Sequence, residues 1–292
     1  KEELLWLNSF STTAINMDLE PIADDYICHS NIDFMFVEHY GKWGLHDDLY
    51  RNYPRLTSIS NGMTSYSFPE GFGFPFFSNE RIQLQTQVLN HNIKDTLFRV
   101  KHRMQIGFKK HSKDMKPLIS RPVYIQLPFS DDFAKQHPAM LEGNMCIPVD
   151  EGIHEIDPET NQRVSGFWVI PKGKSQYSYN VNKQLGIKDS LSLHMILPHV
   201  HPFAEKLHLI DKTKDTTLFT SHITSSMKGV GLVDTPVFKS KEGIMMYADH
   251  DYELMIEINN TSGIEQDMMG TFFCFFHDKG MSEKLKNYNK SH

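Results

Sequence analysis

Apolar and polar residues alternate with period two along much of the chain. Between residues 81 and 90, Ile82, Leu84, Thr86 and Val88 interleave with Gln83, Gln85, Gln87 and Leu89, the mark of a half-buried strand. Residues 27–37, 98–108, 122–128, 251–258 and 271–276 are further short runs rich in β-branched and aromatic side chains, bounded by Gly, Pro, Asn and Asp. Each predicts a strand. Residues 169–173 read as a strand and turn, 208–210 as a strand, 239–243 as a turn, and 2–7 as a short helix or strand. The polar and aromatic stretch 38–53 reads as a loop, and 109–116 as a charged connector. Residues 131–164 read as a long polar insertion of the kind that is functional or forms a lid. The polar tail 279–292 reads as frayed. Long helical periods are few and no repeat period is present. The pattern therefore predicts an all-β protein of two jelly-roll (antiparallel β-sandwich) domains, residues 1–116 and 117–292, with 131–164 inserted in the second.

Composition narrows this picture more than it changes it. A chain of 292 residues holds one or two domains with a real core. Its 39% hydrophobic and 23% charged residues are ordinary for a globular protein. A net charge of −6 and the lack of a basic block argue against a nucleic-acid partner. No apolar run approaches the roughly 20 residues of a membrane span. Cys28, Cys146 and Cys274 permit at most one internal disulfide and have neither zinc nor redox spacing. Hydrolase, Walker and dinucleotide motifs are absent. Glycosylation sequons occur at Asn259-Asn260-Thr261-Ser262 and Asn289-Lys290-Ser291, and they matter only in a secretory setting.

The candidate chemistry lies in two stretches. In Leu193-His194-Met195-Ile196-Leu197-Pro198-His199-Val200-His201-Pro202-Phe203, a strand would point His199 and His201 to one face and Val200 to the other. Two imidazoles so placed can grip one metal ion, whereas an isolated His-x-His is more often a pair of surface histidines. Near the C-terminus, Asp267-Met268-Met269 precedes Thr271-Phe272-Phe273-Cys274-Phe275-Phe276. A thioether beside two imidazoles is a copper signature, although such methionines commonly just pack in a core.

A series of landmarks occurs in the order found in one family. They are Glu20-Pro21-x-Ala23-Asp24, Cys28-His29-Ser30, Phe68-Pro69-Glu70-Gly71-Phe72-Gly73-Phe74, Gln87-Val88, Pro117-Leu118-Ile119, Val169-Ile170-Pro171-Lys172-Gly173, His199-Val200-His201 and Asp267-Met268-Met269. In these the chain resembles the copper type II, ascorbate-dependent monooxygenases of the peptidylglycine α-hydroxylating and dopamine β-monooxygenase kind. The resemblance implies two jelly rolls facing one another across a cleft, each carrying copper, and a secreted or periplasmic setting. It also implies hydroxylation of a C–H bond of a small-molecule or peptide substrate, using O₂ and an external reductant such as ascorbate. By position the oxygen-binding copper falls to His199, His201 and Met269, with Met268 the next choice. The electron-transfer copper falls to His29 and a later histidine, where the family has a His-His pair and this chain has His29-Ser30. The later histidine aligns with Leu89, and His91, two residues on, faces the same side in a regular strand. Cys28, His39 and His46 are further candidates, though Cys28 would face away from His29 in a regular strand. The family's disulfides are missing from a chain with three cysteines.

Two other functions compete. A scaffold with a single His-His-Met site could bind, store or sense copper without catalysis. His199-x-His201-x-x-x-Glu205 also matches half of the cupin pattern for non-haem iron, but the flanking glycines and a downstream Gly-Pro-Gly-His partner are absent.

Overall fold

The computed structural model describes residues 2–45, 51, 53–93, 99–128, 154–157 and 160–291. Within them the fold is all-β, as the alternation predicted, with few helices. Strands are numbered in chain order. A long sheet sets β19 (Phe238–Tyr247), β14 (Ser190–Val200), β22 (Gly270–His277), β8 (Lys116–Tyr124), β5 (Phe72–Phe77), β1 (Leu4–Ile15) and β4 (Ser65–Ser67) side by side, and β7 (Lys101–Lys110) also pairs with β1. A three-stranded sheet runs β3 (Arg55–Ser60), β2 (Ile27–Phe34), β6 (Ile82–Val88). A four-stranded sheet runs β13 (Gly173–Asn180), β20 (Tyr252–Asn260), β15 (Ala204–Asp211), β16 (Thr216–His222). Two short ribbons pair β12 (Trp168–Ile170) with β21 (Gln266–Met268) and β17 (Thr224–Ser225) with β18 (Leu232–Asp234). A third joins β10 (His154–Ile156), β11 (Arg163–Ser165) and β9 (Leu127–Pro128). Most of the predicted insertion 131–164 lies outside the described residues.

Strand β22 explains the layering. All seven residues Gly270 to Phe276 are buried, because both faces of the strand are covered, and such strands read as unbroken apolar runs. Phe272, Cys274 and Phe276 pack with Leu207, Leu254 and Ile256 of the four-stranded sheet. Phe273 and Phe275 share the other core with Ile32, Leu56 and Phe74, which include residues of the three-stranded sheet. The long sheet thus has a core on each face, and each fully buried Phe contributes up to about 3 kcal/mol. The packing crosses the division expected at residue 116. Strands β5 and β8 pair in parallel there, Phe72 with Lys116 and Gly73 with Pro117. The first core also takes Leu118, Met195, Leu197, Phe273 and Phe275 from the second half.

Several local expectations are corrected. Residues 2–7 belong to a strand, β1, that continues to Ile15. The stretch read as a loop begins with helix α1 (Phe36–Trp43), whose His39, Tyr40 and Trp43 are buried and which Gly44 ends at φ +62°. A left-handed residue at that point suits glycine, which has no Cβ to clash. After the four-residue α2 (Asn182–Leu185), the tail read as frayed is helix α3 (Lys279–Ser291). Asp278 caps it by accepting the Met281 N–H at 2.9 Å; Met281 and Leu285 enter the first core. Arg51 binds the same carboxylate with both terminal nitrogens, at 2.5 and 2.6 Å. The turn at 239–243 is a bulge inside β19, since pairing jumps from Met195↔Lys239 to Leu193↔Ile244. Among the described residues no helix is long and apolar enough to cross a membrane.

Candidate metal centre

Two irregularities in the strands aim the histidines. In β14 the ladder to β22 shifts between Leu193 and Met195, leaving His194 as an extra residue and reversing the faces. Beyond it Ile196 and Val200 point into the second core, while Met195 and Leu197 point into the first. His199 and His201 follow the phase of Met195 and Leu197. Their ring centroids lie 5.9 Å apart, and both side chains are buried. In β2 the ladder to β6 shifts between Ile27 and His29, so Cys28 is the bulged residue. This puts Cys28 Sγ 3.2 Å from His29 Nδ1, where a regular strand would have turned them apart. The His29 ring then lies 6.2 Å from that of His199. Three buried imidazoles from two sheets meet here.

Their nitrogens show what the cluster can do. Asp267, on β21, takes the His201 Nδ1 proton in a 2.5 Å contact, and His201 Nε2 is buried without a hydrogen-bond partner. A neutral imidazole donating through Nδ1 presents its lone pair at Nε2, and a carboxylate on the far nitrogen is the usual support for a metal-binding histidine. His199 Nδ1 is also buried and unpartnered. Buried polar atoms are seldom left so, and each needs an explanation. Cys28 is disulfide-bonded. Its sulfur can only accept, so the contact assigns the proton to His29 Nδ1 and the lone pair to Nε2.

Burial favours the neutral form of His29, His91 and His199. Burial, then the Arg55 guanidinium and His201, push His29 down to about 4. Burial first, then His201, His29 and Arg55, hold His199 well below the ordinary histidine value. Arg55 is itself tied to Asp33 at 2.9 Å. Burial also lowers His91, against the pull of Asp267. For Asp267 burial would raise the carboxyl, but the neighbouring His201 outweighs it and the group stays below its usual value. Neutral imidazole and ionised carboxylate are the forms that metal binding needs.

His91, His199, His201 and Asp267 line one cavity of about 30 Å³, with Asp25 and Leu89 on its wall. That is room for an ion with a water or two, and none for a substrate. Val230, Gly231 and Leu232 close one side. Asn92 clasps Val230 on both its N–H and C=O, at 2.8 and 2.9 Å. Asn61 accepts the Leu232 N–H. Gly231 fits because a Cβ there would come within 2.9 Å of Asp25.

The predicted site residues therefore divide. His91, His199 and His201 line one cavity, and His29 stands against His199 from outside that lining. Met269 is buried but belongs to neither core and does not line the cavity. The ladder of β14 with β22 ends at Val200 and Gly270, so His201 and Met269 each lie one residue beyond its last pair. Met268 packs in the second core. Cys28 offers no thiolate, because it is oxidised. His39 stands apart among Phe34, Phe74 and Phe76, bonded to Glu80 at 2.6 Å. His46 lies outside the described residues. Among the described residues no three His, Cys, Asp or Glu side chains are already drawn up as a ligand set. Sequence reasoning missed the role of Asp267, for which only its place beside the methionines gave a signal.

No protein-family model matches the chain, and no curated protein matches it. Among solved structures it is similar to the VP2 subviral particle of infectious bursal disease virus, at 11% identity and TM-score 0.20, covering 97% of this chain and 59% of that one. The Gt strain of the same virus gives 10% identity, TM-score 0.20 and coverages of 94% and 58%. Its derived T=1 particles give 11%, 0.21, 94% and 55%. The chain thus spans under two thirds of these proteins, and TM-scores of this size carry no argument about fold or function.

Proposed function

We propose that the protein is a copper-binding monooxygenase-like oxidoreductase whose ion is held by His199 and His201, with Met269, which adjoins the last pair of the same ladder, as the sulfur donor. One observation supports this most: two buried imidazoles on one strand have unpartnered nitrogens, and one is braced from behind by a carboxylate. Imidazole with thioether favours copper over zinc or iron. We also read the sandwiches on either side of the long sheet as the two jelly rolls of the family that the sequence resembles.

Copper in this place supplies oxygen chemistry for hydroxylating a C–H bond of a small-molecule or peptide substrate, with ascorbate or another external reductant providing electrons. The chain's own residues have separate tasks. Asp267 keeps the proton on His201 Nδ1 and so directs Nε2 toward the ion. Val200 anchors the strand between the two histidines in the second core. Val230 and Leu232 line the cavity beside the histidines and make that side of it apolar.

The size of the cavity favours a second function, copper binding or storage without turnover. Ascorbate-dependent oxygen uptake by the copper-loaded chain, across a panel of small-molecule and peptide substrates, decides between them. Uptake above the free-copper control, lost in His201→Ala, supports the oxygenase. Bound copper with no uptake across the panel supports storage.

A further inference from the structure

The histidine cavity is too small for a substrate, but a larger cavity of about 260 Å³ lies against it. Pro202, Val230 and Gly231 line both and form a common wall. Two departures from regular backbone build the outer cavity. The turn from β14 into β15 is closed by the Ala204 N–H on the His201 carbonyl. It holds Phe203 at φ +78°, a left-handed turn position where glycine is the usual residue. Next, the ladder of β15 with β20 shifts between Ala204 and Lys206, so Glu205 is a bulged residue. Its carboxylate accepts from Asn259 Nδ2 at 3.0 Å, while the Asn259 N–H donates to the Phe203 carbonyl at 2.9 Å. Strained turns and bulges gather at ligand sites, where they aim side chains that a regular strand would not.

We infer that the outer cavity binds a small, neutral, hydroxyl-rich molecule, of the monosaccharide or cyclitol kind, through Glu205, Ser225, Ser226, Asn259 and Thr261. That this molecule is the substrate class of the neighbouring histidines rests on the function proposed above; its binding does not. The lining sets the chemistry. Carboxylate and amide oxygens accept from ligand hydroxyls, and the three side-chain hydroxyls both donate and accept. Among the described residues no Lys or Arg lines the cavity, so an anion would meet only the charge of Glu205. An organic cation would use Glu205 and leave the other four polar side chains idle. It would also find one aromatic residue, Phe203, where sites for quaternary ammonium groups gather several. Glu205 is exposed, so water already screens its charge. The volume is what roughly nine waters occupy in the liquid, which suits a ligand on the order of ten non-hydrogen atoms, below drug size.

Isothermal titration calorimetry of the metal-free full chain against hexoses, pentoses and inositols reads this binding, with tetramethylammonium and acetate as charged probes. The expected result is saturable binding of at least one polyol and of neither charged probe. Glu205→Gln weakens it at least ten-fold and Thr261→Val about five-fold. Both residues are exposed, and both variants keep the circular dichroism and copper content of the wild type. No polyol bound across the panel, or polyol binding unchanged in both variants, would overturn the inference and leave the proposed function standing. Tetramethylammonium bound in place of polyols, and lost with Glu205→Gln, would overturn it in favour of a cation site. Polyol binding by a chain that takes up no copper would overturn the substrate role together with the proposed function.

Discussion

Replacing Asp267 by Asn is the sharpest test of how the site is supported. The change is isosteric, leaves an acceptor in place and removes one charge. In the structure the carboxylate accepts from His201 Nδ1 at 2.5 Å, with the two side chains 12% and 5% exposed, so solvent screens the contact little. Its loss lets the ring take the other tautomer and weakens the lone pair at Nε2. Removing such an outer partner costs roughly ten- to hundred-fold in metal affinity, or about 1.4–2.8 kcal/mol. Competition with a chromogenic copper chelator measures it. Asp211→Asn is the matched control, since Asp211 grips His250 at 2.7 Å in an equally buried pair that does not line the cavity. The expected result is a ten- to hundred-fold loss for Asp267→Asn and a change within about two-fold for Asp211→Asn. If both variants bind copper like the wild type, with unchanged circular dichroism, the supporting role is refuted.

Three further outcomes follow from the same geometry. Met268→Ala leaves a hole in the second core and lowers stability by about 2–5 kcal/mol with copper affinity kept. Met269→Ala, also a buried side chain, weakens copper binding as well; chelator competition separates the two, and an affinity loss in Met268→Ala alone would reassign the sulfur ligand. Asp278→Ala strips Arg51 of its buried partner and α3 of its cap, costing about 3–5 kcal/mol, and unchanged thermal unfolding would refute the clamp. For the metal-free protein, His29 at about 4 against an ordinary 6.5 means the folded chain resists a proton that the unfolded chain accepts. Stability is therefore full above pH 6.5 and falls as pH drops toward 4, by roughly 3 kcal/mol from this group. His29→Gln should flatten that fall in urea titrations at pH 7.5 and 4.5, and an undiminished fall would contradict the assignment.

The strands were legible because period-two alternation survives wherever one face is buried, as in β20 and β15. Orientation within the His-x-His run was legible for the same reason, with Val200 in a core and the histidines opposite. The helices were not. In α3 a stripe of Met281, Leu285 and Tyr288 is submerged in polar residues, and α1 is preceded by Met35, which provides no side-chain cap. Its buried residues were hidden in a stretch that composition marks as loop. The meeting of His29 with His199 was beyond reach as well. It depends on which sheets stack and on a one-residue bulge at Cys28, and such a slip reverses every facing that periodicity assigns. The continuity of the long sheet across residue 116 is likewise a long-range pairing, which local pattern does not encode.

The most direct test of the central claim is the metal content of protein loaded with copper and desalted, for the wild type, His199→Ala and His201→Ala. The account predicts one copper per wild-type chain and none retained by either variant, with folding intact by circular dichroism. Wild type without copper, or variants that keep it in full, would contradict a metal centre at these histidines.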